Sequence, residues 1–348
     1  MRLGIRLFLL VAGLTFALTQ VSLAEEKSDK KFNLGRVVVT ATKTERVLAD
    51  VPVETSLITK EQIEDSNAQT VSDLLKYTPG ISIGMGKDSD QPGNLNWRAT
   101  FRGLSLDSGY GLILVDGQRV KGGGMGETGY GINQIPPEMI ERIEVVKGPG
   151  SVLYGSDAMA GVVNIITKPT PEKRFISGYA GYGTHDASCA GFSLGDKLGK
   201  FGYLLDYARE KSDAGKYGGE DEYEANFINS KFGYEFDEGK SLNLGINWDE
   251  KSWIYSDWNS IRISPGLEAK FDDGSRFALK GYWYDWNFHD FSPGYTEVKG
   301  DLGYRQVESQ YSRLVFDKHM ATAGFEFLEE EIDYNLANKT IDTASFFL

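Results

Sequence analysis

The chain of 348 residues is poor in the groups from which several protein classes are built. It has one cysteine, Cys189, which excludes an internal disulfide framework and a cysteine-rich zinc module. Its three histidines, His185, His289 and His319, fall on separate connections, and no nucleophile, base and orienting group can be assembled around them, so no enzymatic role is expected. Basic residues are outnumbered, 37 against 50 acidic, for a formal net charge of -13. Such a surface repels a phosphate backbone, and no basic cluster offsets it, so nucleic acid is not an expected partner. Beyond the N-terminus no apolar stretch is long enough for a spanning helix. A β-barrel escapes that exclusion, because its strands alternate and never read as apolar runs. What the chain has in excess is glycine, 41 residues, and aromatic side chains, 12%.

Arg2 and Arg6 precede an apolar stretch over residues 7–18, and Ser22 and Ala24 place small residues where a signal peptidase reads. This predicts a cleaved signal peptide over residues 1–24 and export of the mature chain, with an uncleaved helical anchor as the alternative. Residues 25–47 then read as a flexible leader, charged and apolar-poor at first. Within it lies the run Arg36-Val-Val-Val-Thr-Ala-Thr-Lys43. A β-prone run on a flexible leader can add a strand to another protein's sheet; equally, it can be the first strand of the domain that follows.

Two textures follow. Residues 48–168 mix helix and strand signals and predict a compact α+β domain. Thr59 with Gln62 forms a capping box ahead of Ile63, and Thr70 caps Val71, Leu74 and Leu75 before Pro79-Gly80 ends the helix. Ile113-Leu-Val-Asp-Gly117 reads as a buried strand entering a turn, and the stretches around Ile143 and Val163 as two more strands. Gly124, Gly126 and Gly129 have the spacing of a dinucleotide fingerprint, but Pro136-Pro137 follow where the fingerprint needs a helix. From residue 174 onward the period becomes two: Leu242, Leu244, Ile246 and Trp248 alternate with Ser241, Asn243, Gly245 and Asn247.

The connections between these strands alternate in length. Short turns at 195–200, 237–240, 272–275 and 317–320 take turns with longer polar stretches at 212–222, 250–260, 289–300 and 330–340, as in an up-and-down transmembrane barrel; a soluble β-sandwich is the alternative. The count is about nine strands with a tenth begun at Thr343. A barrel that holds a plug needs roughly 22 strands, so residues 174–348 are expected to be the first part of an antiparallel transmembrane β-barrel that continues for on the order of 200 residues.

Taken with its motifs, the chain resembles the N-terminal portion of a TonB-dependent outer-membrane receptor. The resemblance rests on Asp73-Leu-Leu-Lys-Tyr-Thr-Pro-Gly80, Phe101-Arg-Gly103, Ile113-Leu-Val-Asp-Gly117 and the long run from Pro136-Pro-Glu-Met-Ile-Glu-Arg142 to Gly161-Val-Val-Asn-Ile-Ile-Thr167. It implies a plug domain at 48–168 and an outer-membrane location in contact with lipid. It marks Val37, Val38, Val39, Thr40 and Ala41 as the TonB box, with TonB, ExbB and ExbD as partners supplying energy. Arg102, Glu141, Arg142, Glu144 and Lys147 are then expected to hold the plug against the barrel wall, the alternative being a solvated strand face.

The implied activity is active import of a scarce chelate, foremost a ferric siderophore, with cobalamin or haem as alternatives and a truncated, non-transporting product as another. For ligand contact the candidates are Trp97, Arg98, Arg119, Lys121 and Tyr130 of the plug, with Trp253, Tyr255 and Trp258 of an external loop; cations beside aromatics suit a planar anionic chelate. Asp213, Glu220, Asp221 and Glu222 are candidate oxygen ligands for calcium, or simply a solvated acidic loop.

Overall fold

The computed structural model describes residues 38–39, 46–47, 54–83, 99–101, 103–105, 111–120, 135–148, 158–184, 186–213, 222–237, 239–253, 256–290, 296–315, 319–335 and 337–347. The signal-peptide segment lies outside them. Two short strands, β1 (Val38–Val39) and β2 (Arg46–Val47), pair antiparallel. After β3 (Thr55–Ile58) come helices α1 (Lys60–Asp65) and α2 (Val71–Leu75). Both start where the sequence places them. Gln62 and Thr59 exchange side-chain-to-backbone hydrogen bonds at the first helix, and Asp73 and Thr70 do so at the second, satisfying amides that a helix start leaves unpaired.

β4 (Ile81–Ile83), β5 (Ala99–Phe101) and β6 (Leu104–Ser105) make a small sheet. β7 (Gly111–Val115), β8 (Gln118–Arg119), β9 (Ile140–Lys147) and β10 (Gly161–Thr167) join β3 in a five-stranded sheet of order β3-β9-β10-β7-β8. The β7–β10 pair is parallel and the rest antiparallel. Asp116 and Gly117, both at positive φ, form the two-residue turn of the β7–β8 hairpin, the role an Asp-Gly pair suits. One sheet face carries Ile113, Val115, Ile143, Val145, Val163 and Ile165 against Ile63, Val71, Leu74 and Leu75 of the helices. Gly161 is obligatory: it has φ +156°, and a Cβ there would stand 2.5 Å from the Val146 carbonyl oxygen and 3.0 Å from the Phe101 ring.

Ten strands follow in strict up-and-down order: β11 (Phe175–Tyr182), β12 (Ser188–Leu198), β13 (Phe201–Asp213), β14 (Glu222–Asp237), β15 (Lys240–Trp253), β16 (Ser256–Lys270), β17 (Arg276–Asp290), β18 (Val298–Val315), β19 (His319–Tyr334) and β20 (Ala337–Phe347). All neighbours are antiparallel, and among the described residues the order runs from β11 to β20 without closing. The tenth strand begins at Ala337, six residues earlier than its sequence suggests.

The four short connections lie where expected, between Leu198 and Phe201, Asp237 and Lys240, Lys270 and Arg276, and Val315 and His319. At the β16–β17 turn the Asp273 carboxylate accepts from the backbone amide and the hydroxyl of Ser275, which hold it below the usual carboxylate range. Two of the expected long loops are not loops. β15 runs to Trp253 and β16 resumes at Ser256; β19 runs to Tyr334 and β20 resumes at Ala337. Polar residues there continue the ladder, because backbone pairing makes no demand for apolar side chains once a strand leaves the apolar zone.

The faces of this wall are inverted relative to a soluble sheet. Leu242 is 45% exposed and Val307 49%, while Asn247 is 7% exposed and Asp249 3%. Ile176, Phe201, Leu279, Trp283, Tyr311 and Phe327 share the exposed apolar face; Ser193, Asp206, Asn229, Ser260 and Arg262 share the buried polar one. The buried face is the one that meets the plug.

Candidate functional site

The plug's second sheet face is partly polar, and the motif residues converge on it. Asn164 on β10 stands opposite Glu144 on β9 and Leu114 on β7. Its side-chain oxygen accepts from the Gly117 amide at 3.0 Å, pinning the hairpin turn. The turn places the Asp116 carboxylate to accept from the Thr167 amide (2.9 Å) and hydroxyl (2.7 Å). The same carboxylate meets the Lys231 ammonium of wall strand β14 at 3.1 Å, and Lys231 also donates to the Thr167 carbonyl. Asp116 and Thr167 are therefore a polar clamp between plug and wall. On the far side of the hairpin the Tyr282 hydroxyl of β17 donates to the Arg119 carbonyl at 2.7 Å.

The apolar part of the contact falls on β13 and β14. Ala208, Tyr223, Ala225 and Phe227 belong to the same buried cluster as the plug core residues Leu75, Phe101 and Ile143. Around them the inner wall is a ladder of hydrogen bonds. Ser193 donates to Asp206 at 2.5 Å, Asn229 to the other Asp206 oxygen at 2.7 Å, and Asn247 to Asn229 at 2.6 Å. These residues, with Arg262, Tyr284, Tyr304 and Glu330, are consecutive register partners from β12 to β19, so they form one level of the wall.

Of the residues expected to hold the plug to the wall, Arg102 lies outside the described residues. Among the described residues, the ion pairs of the other four run inside the plug: Glu141 with Lys60 at 3.6 Å, Arg142 with the buried Glu144 at 2.9 Å, and Lys147 with Glu54 at 2.7 Å. The cause is register. Arg142 and Glu144 lie on one face of a strand that runs between β3 and β10, and they pair with each other there. Among the described residues, direct polar contacts with the wall are made by Asp116, Thr167 and Arg119. Asp116 and Thr167 sit in motifs the sequence displays, whereas Lys231 and Tyr282 carry no local signal, because only pairing across ten strands sets which residues face inward.

Among the ligand candidates, Trp97, Arg98, Lys121, Tyr130 and Tyr255 lie outside the described residues. Arg119 forms β8 at the plug–wall contact. Trp253 ends β15 opposite Ser256. Trp258 is not in a loop. It lies on β16 and packs into an inward aromatic cluster with Tyr282, Tyr284, Trp286, Phe288 and Tyr304, its ring 6.3 Å from that of Trp286. Asp213 and Glu222 are direct register partners at the base of the β13–β14 connection, while Glu220 and Asp221 lie outside the described residues. No metal-binding cluster occurs among the described residues. For the strand-adding run, Val38 pairs with Val47 and Val39 with Arg46; Val37, Thr40 and Ala41 lie outside the described residues.

An α+β domain whose hairpin is clamped to the polar inner face of an up-and-down antiparallel wall defines a plug-and-wall protein. Residues 47–162 match the family described as TonB-dependent Receptor Plug Domain, so this part of the chain is such a plug. The chain is 43% identical over 131 residues to the Vitamin B12 transporter BtuB of Vibrio vulnificus, covering 38% of this chain and 20% of that protein. It is 28% identical over 337 residues to BtuB of Vibrio cholerae, covering 89% of this chain and 54% of that one. The Iron-regulated outer membrane virulence protein of Vibrio cholerae is 38% identical over 161 residues, 45% of this chain and 22% of that one. Among solved structures, the alcaligin outer-membrane receptor FauA of Bordetella pertussis superposes with a TM-score of 0.72 at 16% identity, over 92% of this chain and 56% of that one. The fold is that of TonB-dependent receptors, and the chain spans about half the length of the relatives that it matches along most of its own.

Proposed function

We propose that this chain supplies the plug and part of the wall of an outer-membrane receptor that imports a bulky chelate under TonB control. The observation that carries this reading is the plug hairpin clamped by Asp116 to Lys231 on a wall with an apolar outer and a polar inner face. A wall of that polarity suits lipid outside and a polar lumen inside. A plug held through side-chain contacts such as Asp116–Lys231 suits a seal that opens without the wall unfolding.

Energy would arrive at Val38 and Val39. Among the described residues their ladder with Arg46 and Val47 is two residues long, a short pairing for a TonB strand to displace when it adds to this run. ExbB and ExbD would supply the proton-driven work. For the cargo, likeness to B12 transporters along 89% of the chain favours a corrinoid. A ferric siderophore is the second reading, supported by the iron-regulated relative and by the cations Arg98, Arg119 and Lys121 of the plug. Calcium at Asp213, Glu220, Asp221 and Glu222 would relieve the acidic rim so that an anionic cargo can approach.

Uptake of labelled cobalamin and of labelled ferric siderophores, compared between a deletion strain and the strain complemented in trans, separates the two readings. In the complemented strain Val38→Pro is expected to abolish uptake and leave surface binding intact, since proline removes a ladder donor far from the cargo site. Uptake at the unmutated rate would end the strand-addition account. Chelation with EGTA is expected to weaken surface binding if the acidic rim holds calcium.

A further inference from the structure

Arg262 lies on the inner face of β16, between two unlike stretches of wall. Its register partner on β15 is Asn247, where the hydrogen-bonded ladder from Ser193 ends; its register partner on β17 is Tyr284, a member of the inward aromatic cluster. The side chain is 3% exposed, and its Nε and Nη1 have no hydrogen-bond partner among the described residues. Asp249 does not serve it. The Arg262 Nη2 stands 3.8 Å from Asp249 Oδ1, beyond hydrogen-bond reach, and that oxygen accepts from the Ser260 hydroxyl. Lys251, on the same face of β15, is buried as well, with its ammonium 5.2 Å from the centre of the Phe227 ring, and adds positive charge to this stretch. A buried lysine can shed its proton, but a guanidinium keeps its charge, so burial without acceptors is a standing cost at Arg262. Next to it the rings of Tyr282 and Tyr284 stack at 14° with centroids 6.2 Å apart, and those of Tyr284 and Tyr304 at 23° and 6.1 Å. The hydroxyls of Tyr282 and Tyr304 donate to the Arg119 carbonyl and to Glu330, so these two residues offer ring surface more than donors.

We propose that Arg262 is an anion subsite on the inner wall: its Nε and Nη1 take a phosphate or carboxylate group, and the rings around Tyr282, Tyr284 and Trp286 take the flat apolar body that carries it. An anionic oxygen group supplies both the missing acceptors and the missing counter-charge, whereas water supplies acceptors alone. A flat body is the partner that ring faces accept with the most contact and without a demand for further hydrogen bonds. That the group belongs to the cargo rests on the transport reading, under which a corrinoid, with a phosphodiester beside a broad planar ring, has the required chemistry. The affinity of Arg262 for an anion does not depend on that reading.

The test uses the full chain in detergent micelles, titrated with phenyl phosphate, with inorganic phosphate and with the neutral benzyl alcohol, binding being read by phosphorus and proton NMR. Phenyl phosphate is expected to bind more tightly than inorganic phosphate, and Arg262→Met to weaken both about tenfold or more. Trp286→Leu should bring phenyl phosphate towards the inorganic level and leave inorganic phosphate unchanged. Removal of an unpaired buried charge should also raise the urea midpoint of Arg262→Met without any anion, whereas phenyl phosphate raises that of the unmutated chain. Equal affinity of the two chains for phenyl phosphate, or benzyl alcohol bound as tightly as phenyl phosphate, overturns the proposal. Arg262→Gln keeps the result readable if Arg262→Met fails to fold. The cargo assignment is read separately, on cells of the complemented strain. There Arg262→Met is expected to lower surface binding of cyanocobalamin about tenfold and to spare dicyanocobinamide, which lacks the phosphodiester. Equal loss of both removes Arg262 from the cargo site. If the unmutated strain binds neither corrinoid while the micellar chain binds phenyl phosphate, the corrinoid reading fails and the anion subsite stands.

Discussion

Val163 in the plug sheet and Asn247 in the wall are both shielded from solvent, yet one is aliphatic and the other an amide. The plug folds as a water-soluble domain does: apolar side chains gather between sheet and helices, and polar ones turn outward or pair. The wall reverses the rule. Its apolar side chains lie on the exposed face, and its shielded face is a hydrogen-bonded ladder from Ser193 to Asn247. The difference teaches that alternation alone does not say which face is inside. The medium outside the wall decides, because lipid takes up apolar surface at no cost, whereas a buried amide or carboxylate needs a partner wherever it lies.

Four substitutions bear on that contrast, in order of falling effect, with a fifth at Leu242 as the control for the second. Val163→Asp puts an unpaired carboxylate into the plug core and is expected to cost about 4 kcal/mol or more, with loss of the folded plug seen as protease sensitivity within residues 54–168. Val307→Arg, midway along β18 on the exposed face, is expected to cost roughly 2–4 kcal/mol in urea titrations of folding into lipid vesicles. The same change at Leu242, two residues from the end of β15, should cost about 0–1 kcal/mol. If the two positions proved equally tolerant, the exposed apolar face would not be a lipid-facing one.

Asp116→Ala removes three contacts at the clamp and is expected to destabilise the plug–wall contact by about 1–3 kcal/mol. A double-mutant cycle with Lys231→Met isolates the part that crosses from plug to wall, and additivity within error would assign Asp116 to the plug alone. The smallest effect belongs to Asp273. Its carboxylate is held below its unfolded-state pKa by Ser275, so its contribution is present above that value and lost as pH falls through the lower folded one. Amide exchange at Ser275 should quicken over that acidic window and lose this pH response in Asp273→Ala.

Local chemistry is legible in the residues themselves. Thr59 with Gln62 and Thr70 with Asp73 start helices because capping needs residues three apart and nothing more distant. Asp116-Gly117 makes its turn because only a few residue types tolerate two positive φ angles in succession. The period of two after residue 174 predicts strands, and the short turns fall where expected, since each depends on neighbours in the chain. Loop length is harder to read. The polar stretches 250–260 and 330–340 are mostly strand, because polarity there reports distance from the apolar zone and not the end of pairing.

The functional contacts divide along the same line. By itself the sequence determined a plug with its motifs, an up-and-down set of strands and a β-prone leader run, all set by interactions within a few residues. Only the tertiary structure decided that Glu141, Arg142, Glu144 and Lys147 form pairs inside the plug, that Asp116 reaches Lys231 across 115 positions, and that Trp258 turns inward to Trp286. Those outcomes depend on register summed over many strands. A shift of one residue in any ladder would exchange the inner and outer faces, and no local signal records that sum.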